Sequence, residues 1–250
     1  MSGHSKWSTI KRKKGKADAE RGKVFTKLIK EITIAARDGG GDPNGNARLR
    51  TAIANAKTEN MPAANIDRAI KKGTGELPGV SYDEHFYEGY APGGAALLIQ
   101  VLTDNKNRTT SEIRHLLTKH NGNLGEAGCV AWMFETKGML TIDRSTITED
   151  AILEVSLEAG AEDVDTSAED VYEVYAAVSD FEAVQQAVER AGISATNVEL
   201  ARIPTSTVNL AEKQAEQFLK LLELLEDHDD VQKVFSNFDI ADSLMEKLRG

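Results

Sequence analysis

The hydrophobic positions of the first 75 residues recur at helical spacing. At about 100° per residue, Phe25, Leu28, Ile29, Ile32 and Ala36 fall within about 80° of one another. Lys23, Lys27, Lys30 and Arg37 fall within a similar arc on the opposite side. The run Gly39-Gly40-Gly41 ends this helix, predicted over Lys23–Arg37. Asp42-Pro43 then offers an N-cap and a first-turn proline to a second helix with the apolar stripe Leu49, Ala52, Ile53 and Ala56. Asn60-Met61-Pro62 breaks that helix. A third carries Ile66, Ala69 and Ile70 and stops at Gly73.

Past a Gly/Pro linker around Gly73–Ser81 the period changes. Phe86–Ala91 and Ala95–Thr103 read as strands joined at Pro92-Gly93-Gly94. A helix follows, with Thr109 and Glu112 spaced as a capping box, apolar Ile113, Leu116 and Leu117, and a stop at Asn121-Gly122. Cys129–Glu135 reads as a strand. Met139–Ile142, Glu149–Ala159, Asp163–Asp165, Val171–Ala177, Phe181–Ala191 and Val198–Ile203 then follow the order β-α-β-β-α-β of a ferredoxin-like module. After Pro204 come an amphipathic helix through Leu225 and a strand at Val231–Phe235. The predicted fold is α+β and multidomain. A basic helical domain spans 1–77, a discontinuous α/β domain spans 78–137 and 205–250, and an acidic ferredoxin-like domain at 138–204 is inserted in it. Residues 76–250 are expected to fold without the first 75.

Charge changes this picture more than composition does. The net charge of −10 is a partition. Residues 1–75 hold 17 Lys and Arg against 7 Asp and Glu, a net of +10, and the remainder carries −20. Phosphates respond to the local field, screened beyond about 8–10 Å at physiological salt, so the basic third can act beside an acidic remainder. No apolar run approaches a membrane span, and the basic N-terminus lacks the apolar stretch of a secretory signal. A soluble cytoplasmic protein without a membrane partner is expected. The single Cys129 excludes a disulfide framework and any multi-cysteine zinc site.

The chemistry points to binding rather than catalysis. The chain has no HExxH, GxSxG or Walker pattern, and its Gly-rich stretches follow helices, the wrong context for a dinucleotide. No catalytic residue, metal or cofactor is predicted. The first candidate is a basic arm of Lys6, Lys11, Arg12, Lys13, Lys14 and Lys16, with Trp7 available to stack on a base. The second is the stripe Lys23, Lys27, Lys30 and Arg37, a track for a phosphate backbone that Arg48, Arg50, Lys57, Lys71 and Lys72 widen. The third is the loop Asn105, Lys106, Asn107 and Arg108, where amides at a helix start beside two cations favour an anion. Each has a plain alternative: a solvated tail, a solvated face and an ordinary turn.

Several segments together carry a resemblance. They are GHSKW at 3–7, RGKVFTKLIKEI at 21–32, NMP at 60–62, YEGYAPGG at 87–94, LTDNKNRT at 102–109 and NGNLGEAGCVAWMFETKG at 121–138. The chain resembles, collinearly over nearly its whole length, the YebC/PmpR family, which includes the mitochondrial translational activator of cytochrome oxidase subunit one. The resemblance implies three domains, the third inserted in the second, and no enzymatic activity. It also implies a regulator of gene expression that binds nucleic acid through the first domain, with the 104–108 loop as a second contact. Such a protein is either a DNA-binding transcriptional regulator or a ribosome-associated translation factor that binds RNA. The stripe holds Lys and Arg but no Asn or Gln set for reading bases, which supports phosphate contact over sequence readout.

Overall fold

The structure, a computed structural model, describes residues 18–168, 170–241 and 243–244. Three helices open it: α1 (Asp18–Gly39), α2 (Ala47–Thr58) and α3 (Ala63–Gly73). Their apolar stripes close on one core of Ile32, Ala35, Ala36, Leu49, Ala52, Ala56, Met61, Ile66 and Ala69. At Gly73 a Cβ would lie 2.3 Å from the Thr33 carbonyl oxygen, so α3 ends against α1 where only glycine fits. The cap of α2 differs from the sequence expectation: the helix starts after Asn46, not at Asp42-Pro43. Asn46 Oδ1 accepts the Leu49 N–H at 3.0 Å, while its Nδ2 donates to the carbonyls of Ala35 and Gly40. An aspartate could accept at α2 but could not donate to the end of α1. Asp42 instead closes a local turn onto the Asn44 N–H.

The hairpin β1 (Asp83–Tyr90) and β2 (Ala96–Thr103) pairs antiparallel, and α4 (Lys106–Lys119) and β3 (Asn123–Leu124) follow. Only Gln100 interrupts the burial of β2. On one sheet face Tyr87 reaches α4, its hydroxyl 2.7 Å from that of Thr110. On the other face lies Glu88, whose carboxylate accepts the N–H groups of Gly128, Val130 and Ala131 at 2.6–2.7 Å. Burial opposes its ionisation, but these three donors hold the carboxyl below its ordinary range. With its amides turned to Glu88, the 128–131 segment is a loop. The strand expected from Cys129 therefore begins only at Phe134.

Phe134–Thr205 form a compact unit of their own. In chain order it comprises β4 (Phe134–Asp143), α5 (Glu149–Glu158), β5 (Asp163–Asp165), β6 (Val171–Ala176), α6 (Phe181–Arg190) and β7 (Ala195–Pro204). The sheet order β5-β6-β4-β7, antiparallel throughout, is that of a ferredoxin-like module. Leu140, Ile142, Ile152, Tyr172, Val174, Val184 and Val188 fill its core. Two expected strands, at 129–135 and 139–142, are one, because β7 pairs β4 from Phe134 to Ile142, with one irregularity between Thr141 and Ile142. Gly138 sits mid-strand against the Phe181 ring, where a Cβ would lie 2.1 Å from ring carbons.

The chain then returns through β8 (Val208–Asn209), α7 (Glu212–Glu226), β9 (Val231–Ser236) and β10 (Phe238–Asp239). β9 pairs with β2, completing the sheet β3-β1-β2-β9, and Phe218 of α7 packs its ring 4.3 Å from that of Phe238. No helix among the described residues is long and apolar enough to cross a membrane.

The turn between α7 and β9 carries Asp230, which is buried. Lys30 Nζ of α1 lies 2.7 Å from its Oδ1. Arg108 at 2.8 Å and the Thr109 hydroxyl at 2.7 Å meet Oδ2. Burial opposes ionisation of Asp230, and the hydrogen bonds from Lys30, Arg108 and Thr109 overcome it and hold its carboxyl well below the usual range. Thr109 is therefore not a cap. Asn105 caps α4 by accepting the Arg108 N–H at 3.1 Å, which frees the Thr109 hydroxyl for Asp230. The helices α1–α3 and the β1–β2–β9 sheet belong to one unit. Removing residues 1–75 would take Lys30 from Asp230, so residues 76–250 alone are expected to be less stable than they are in the full chain.

Two measurements check this. Gly138→Ala is expected to lower the unfolding free energy by about 1–3 kcal/mol through overpacking against Phe181, read by urea denaturation. Asp230→Asn is expected to lose about 3 kcal/mol at pH 7, because it leaves Lys30 buried without its counter-charge. A depressed carboxyl stabilises above its unfolded pKa, about 3.9, and that contribution fades as pH falls through the folded value. The variant's stability is accordingly expected to fall less steeply below about pH 4 than that of the parent chain.

Candidate nucleic-acid interface

The clearest open cations lie on α3. Arg68, Lys71 and Lys72, spaced i, i+3 and i+4, are exposed on the side opposite Ile66, Ala69 and Ile70. Among the described residues these three, and exposed Lys57 at the end of α2, have no ion pair. Arg50 is also exposed and donates to the Pro43 carbonyl at 3.1 Å. Lys72 and Arg37 line a cleft of about 110 Å³ together with residues 79–82. Arg68 is an addition to the residues the sequence reading named. Its signal was present, one turn before the Lys71-Lys72 pair.

The α1 stripe is not the open track its pattern suggested. Lys23 lies 3.6 Å from Asp227, Lys27 donates to the Glu226 carbonyl, and Lys30 donates to the carbonyl of Asp229 as well as to Asp230. Side-chain exposure falls from 46% at Lys23 to 8% at Lys30. Lys30 is thus a buried structural cation, and its place on a nucleic-acid surface is corrected. Arg37 donates to the Tyr82 carbonyl and pairs with Asp38 at 2.8 Å. Arg48 is a clamp: its guanidinium meets Glu31 at 2.7 Å and Glu84 at 3.1 Å. Burial opposes its charge, and the two carboxylates overcome that and raise its pKa. Periodicity shows that a face turns away from the helical core. It does not distinguish water from an acidic neighbour.

Lys106, Asn107 and Arg108, expected in a loop, form the first turn of α4 behind the Asn105 cap, and the anion expected there is internal. Arg108 spends its guanidinium on Asp104 at 2.9 Å and Asp230 at 2.8 Å, and these carboxylates raise its pKa. Asn105 is the cap, while Lys106 and Asn107 are exposed. His228 links this cluster to α4: its Nε2 is 2.9 Å from Glu112, and its Nδ1 accepts the Asp230 N–H at 3.1 Å. Glu112, His228 and Asp230 offer ligand atoms within 4.8 Å of one another, but Lys30 and Arg108 already neutralise Asp230, a poor setting for a metal cation. Lys6, Trp7, Lys11, Arg12, Lys13, Lys14 and Lys16 lie outside the described residues.

Comparison with known proteins covers nearly the whole chain. Residues 5–76 match the TACO1/YebC protein N-terminal domain, and residues 82–238 match the TACO1/YebC second and third domain. A protein of Desulfosudis oleivorans is 60% identical over 98% of this chain and 100% of its own length. One of Geobacter sulfurreducens is 58% identical over 99% of this chain and 100% of its own. Both are named "Probable transcriptional regulatory protein". The crystal structure of a conserved hypothetical protein from Aquifex aeolicus is similar at a TM-score of 0.85 and 48% identity, covering 91% of this chain and 93% of that one. On these matches the chain belongs to the TACO1/YebC family.

Proposed function

We propose that the protein is a non-enzymatic regulator of gene expression that holds nucleic acid in the cytoplasm through its basic N-terminal third. The observation that carries this reading is the exposed Arg68-Lys71-Lys72 face of α3, set in a segment of net charge +10 while the rest of the chain carries −20. Cations one helical turn apart and without acidic partners suit a run of phosphates, which release counterions as they are neutralised. Lys6, Lys11, Arg12, Lys13, Lys14 and Lys16, with Trp7, supply further basic charge to this third by sequence. Arg50 widens the surface, and Lys106 is a second, smaller contact.

The relatives' names favour DNA as the target and transcription as the process. The outward face of α3 carries its cations with Asp67, two exposed alanines and a single half-buried amide, Asn65, so most of it offers phosphate contact and little of it base-edge readout. Contact of this kind serves structured RNA as well as duplex DNA.

The test is a salt titration of binding to two unrelated duplexes and one structured RNA. Arg68→Ala with Lys71→Ala and Lys72→Ala is expected to flatten the log–log slope by about 2–3 on duplex DNA, at roughly 0.9 per lost contact. Loss should be equal on the two duplexes, because phosphates carry no base identity. Unfolding free energy should move by less than about 0.5 kcal/mol per exposed substitution. An unchanged slope removes α3 from the interface. Tighter binding to the RNA than to either duplex selects the translation reading.

A further inference from the structure

We propose that the outer end of the α1 stripe, Lys23 and Lys27, is a second phosphate-backbone contact that the chain's own acidic corner, Glu226–Asp230, occupies when nucleic acid is absent. This rests on the reading that the N-terminal third binds nucleic acid.

Lys23, Lys27 and Lys30 stand at i, i+4 and i+7, one cation per helical turn. Facing them are five consecutive residues, four of them acidic: Glu226-Asp227-His228-Asp229-Asp230. The atoms that meet the lysines are oxygens in a row. They are the Glu226 carbonyl, the Asp227 carboxylate, the Asp229 carbonyl and the Asp230 carboxylate. A string of oxygens with recurring negative charge along a basic helix is the chemistry a sugar-phosphate strand presents. The corner displays what the stripe recognises.

The contact is graded along α1. At its inner end the Lys30–Asp230 pair is buried and tied to Arg108 and Thr109, so it is a pivot rather than a site. At its outer end Lys23 and Asp227 are 3.6 Å apart with side chains 46% and 53% exposed. Exposed pairs of this kind add little in water and weaken with salt, so a competing anion displaces them readily. Lys27 donates to a carbonyl, a neutral acceptor that a phosphate oxygen replaces with a charged one. Exchange needs two long side chains to swing and leaves the pivot in place. The outer end is also the end of α1 nearest in sequence to the Lys/Arg-rich residues 6–16, so the two sets of cations follow one another along the chain.

The experiment uses the full chain, a short duplex DNA and a structured RNA, with binding measured across a range of salt. Lys23→Ala with Lys27→Ala is expected to flatten the log–log slope on the duplex by about 2 while the melting temperature stays near that of the parent. Asp227→Asn is expected to tighten binding several-fold at low salt. Glu154→Gln, an exposed acid on α5, serves as control for the general effect of removing a negative charge and should tighten it less. An unchanged slope in the double variant overturns the proposal, as does an Asp227→Asn effect no larger than the control. If either happens while the α3 triple variant still weakens binding, the corner is a permanent structural contact and the proposed function stands. If the α3 variant also binds like the parent, the proposed function itself fails. Should the double variant not fold, Lys23→Gln alone, expected to flatten the slope by about 1, and Asp227→Asn decide the matter.

Discussion

The carboxylate of Asp230 is the point on which this architecture turns. A buried carboxylate must be met by charge, and here the charge comes from Lys30 in the first helix and Arg108 at the start of α4, some 200 and 122 residues away in sequence. The same turn fixes the edge of the sheet, since the Leu102 N–H donates to the Asp230 carbonyl. One side chain thus joins the helical segment, the end of β2, the start of α4 and the entry to β9. Removing a partner from such a pair is costly because the remaining charge stays buried. Arg48, shared between Glu31 and Glu84, makes a second joint of the same kind nearby.

This joint explains what was and was not legible in the sequence. Elements defined by local pattern read correctly: the three helices, the hairpin at Pro92-Gly93-Gly94, and the β-α-β-β-α-β order of the inserted unit all follow from periodicity and turn residues. The errors fall where a distant partner overrides a local signal. Thr109 has the spacing of a capping box, yet its hydroxyl serves Asp230. Cys129–Met133 has strand-like composition, yet Glu88 draws its amides into a loop. Asp42-Pro43 looks like a helix start, yet Asn46 wins because it both donates and accepts.

The candidate site shows the same division. That the N-terminal third is basic is a property of composition. Which of its cations face solvent depends on the fold, since an amphipathic pattern specifies only one of a helix's two sides. Four cations on α1 looked equivalent by angle, but the acidic turn after α7 ranks three of them, with Lys23 outermost and Lys30 buried, while Arg37 turns to Asp38 and the Tyr82 carbonyl. Arg68, Lys71 and Lys72 on the short α3 drew less notice and carry the more open charge. The acidic remainder of the chain then has two roles in this account: it limits indiscriminate binding, and it supplies the internal counter-charges that hold the first helix in place.

Lysine-reactivity footprinting tests that account most directly. The full chain would be acetylated with and without a saturating duplex, and modification at each lysine read by mass spectrometry. The account predicts protection at Lys57, Lys71 and Lys72, partial protection at Lys23 and Lys27, low reactivity at Lys30 in both states, and no change at Lys137, Lys213 or Lys220. Protection centred on Lys119 and Lys220 with Lys71 and Lys72 unaffected would contradict it and place the nucleic acid on α4 and α7 instead.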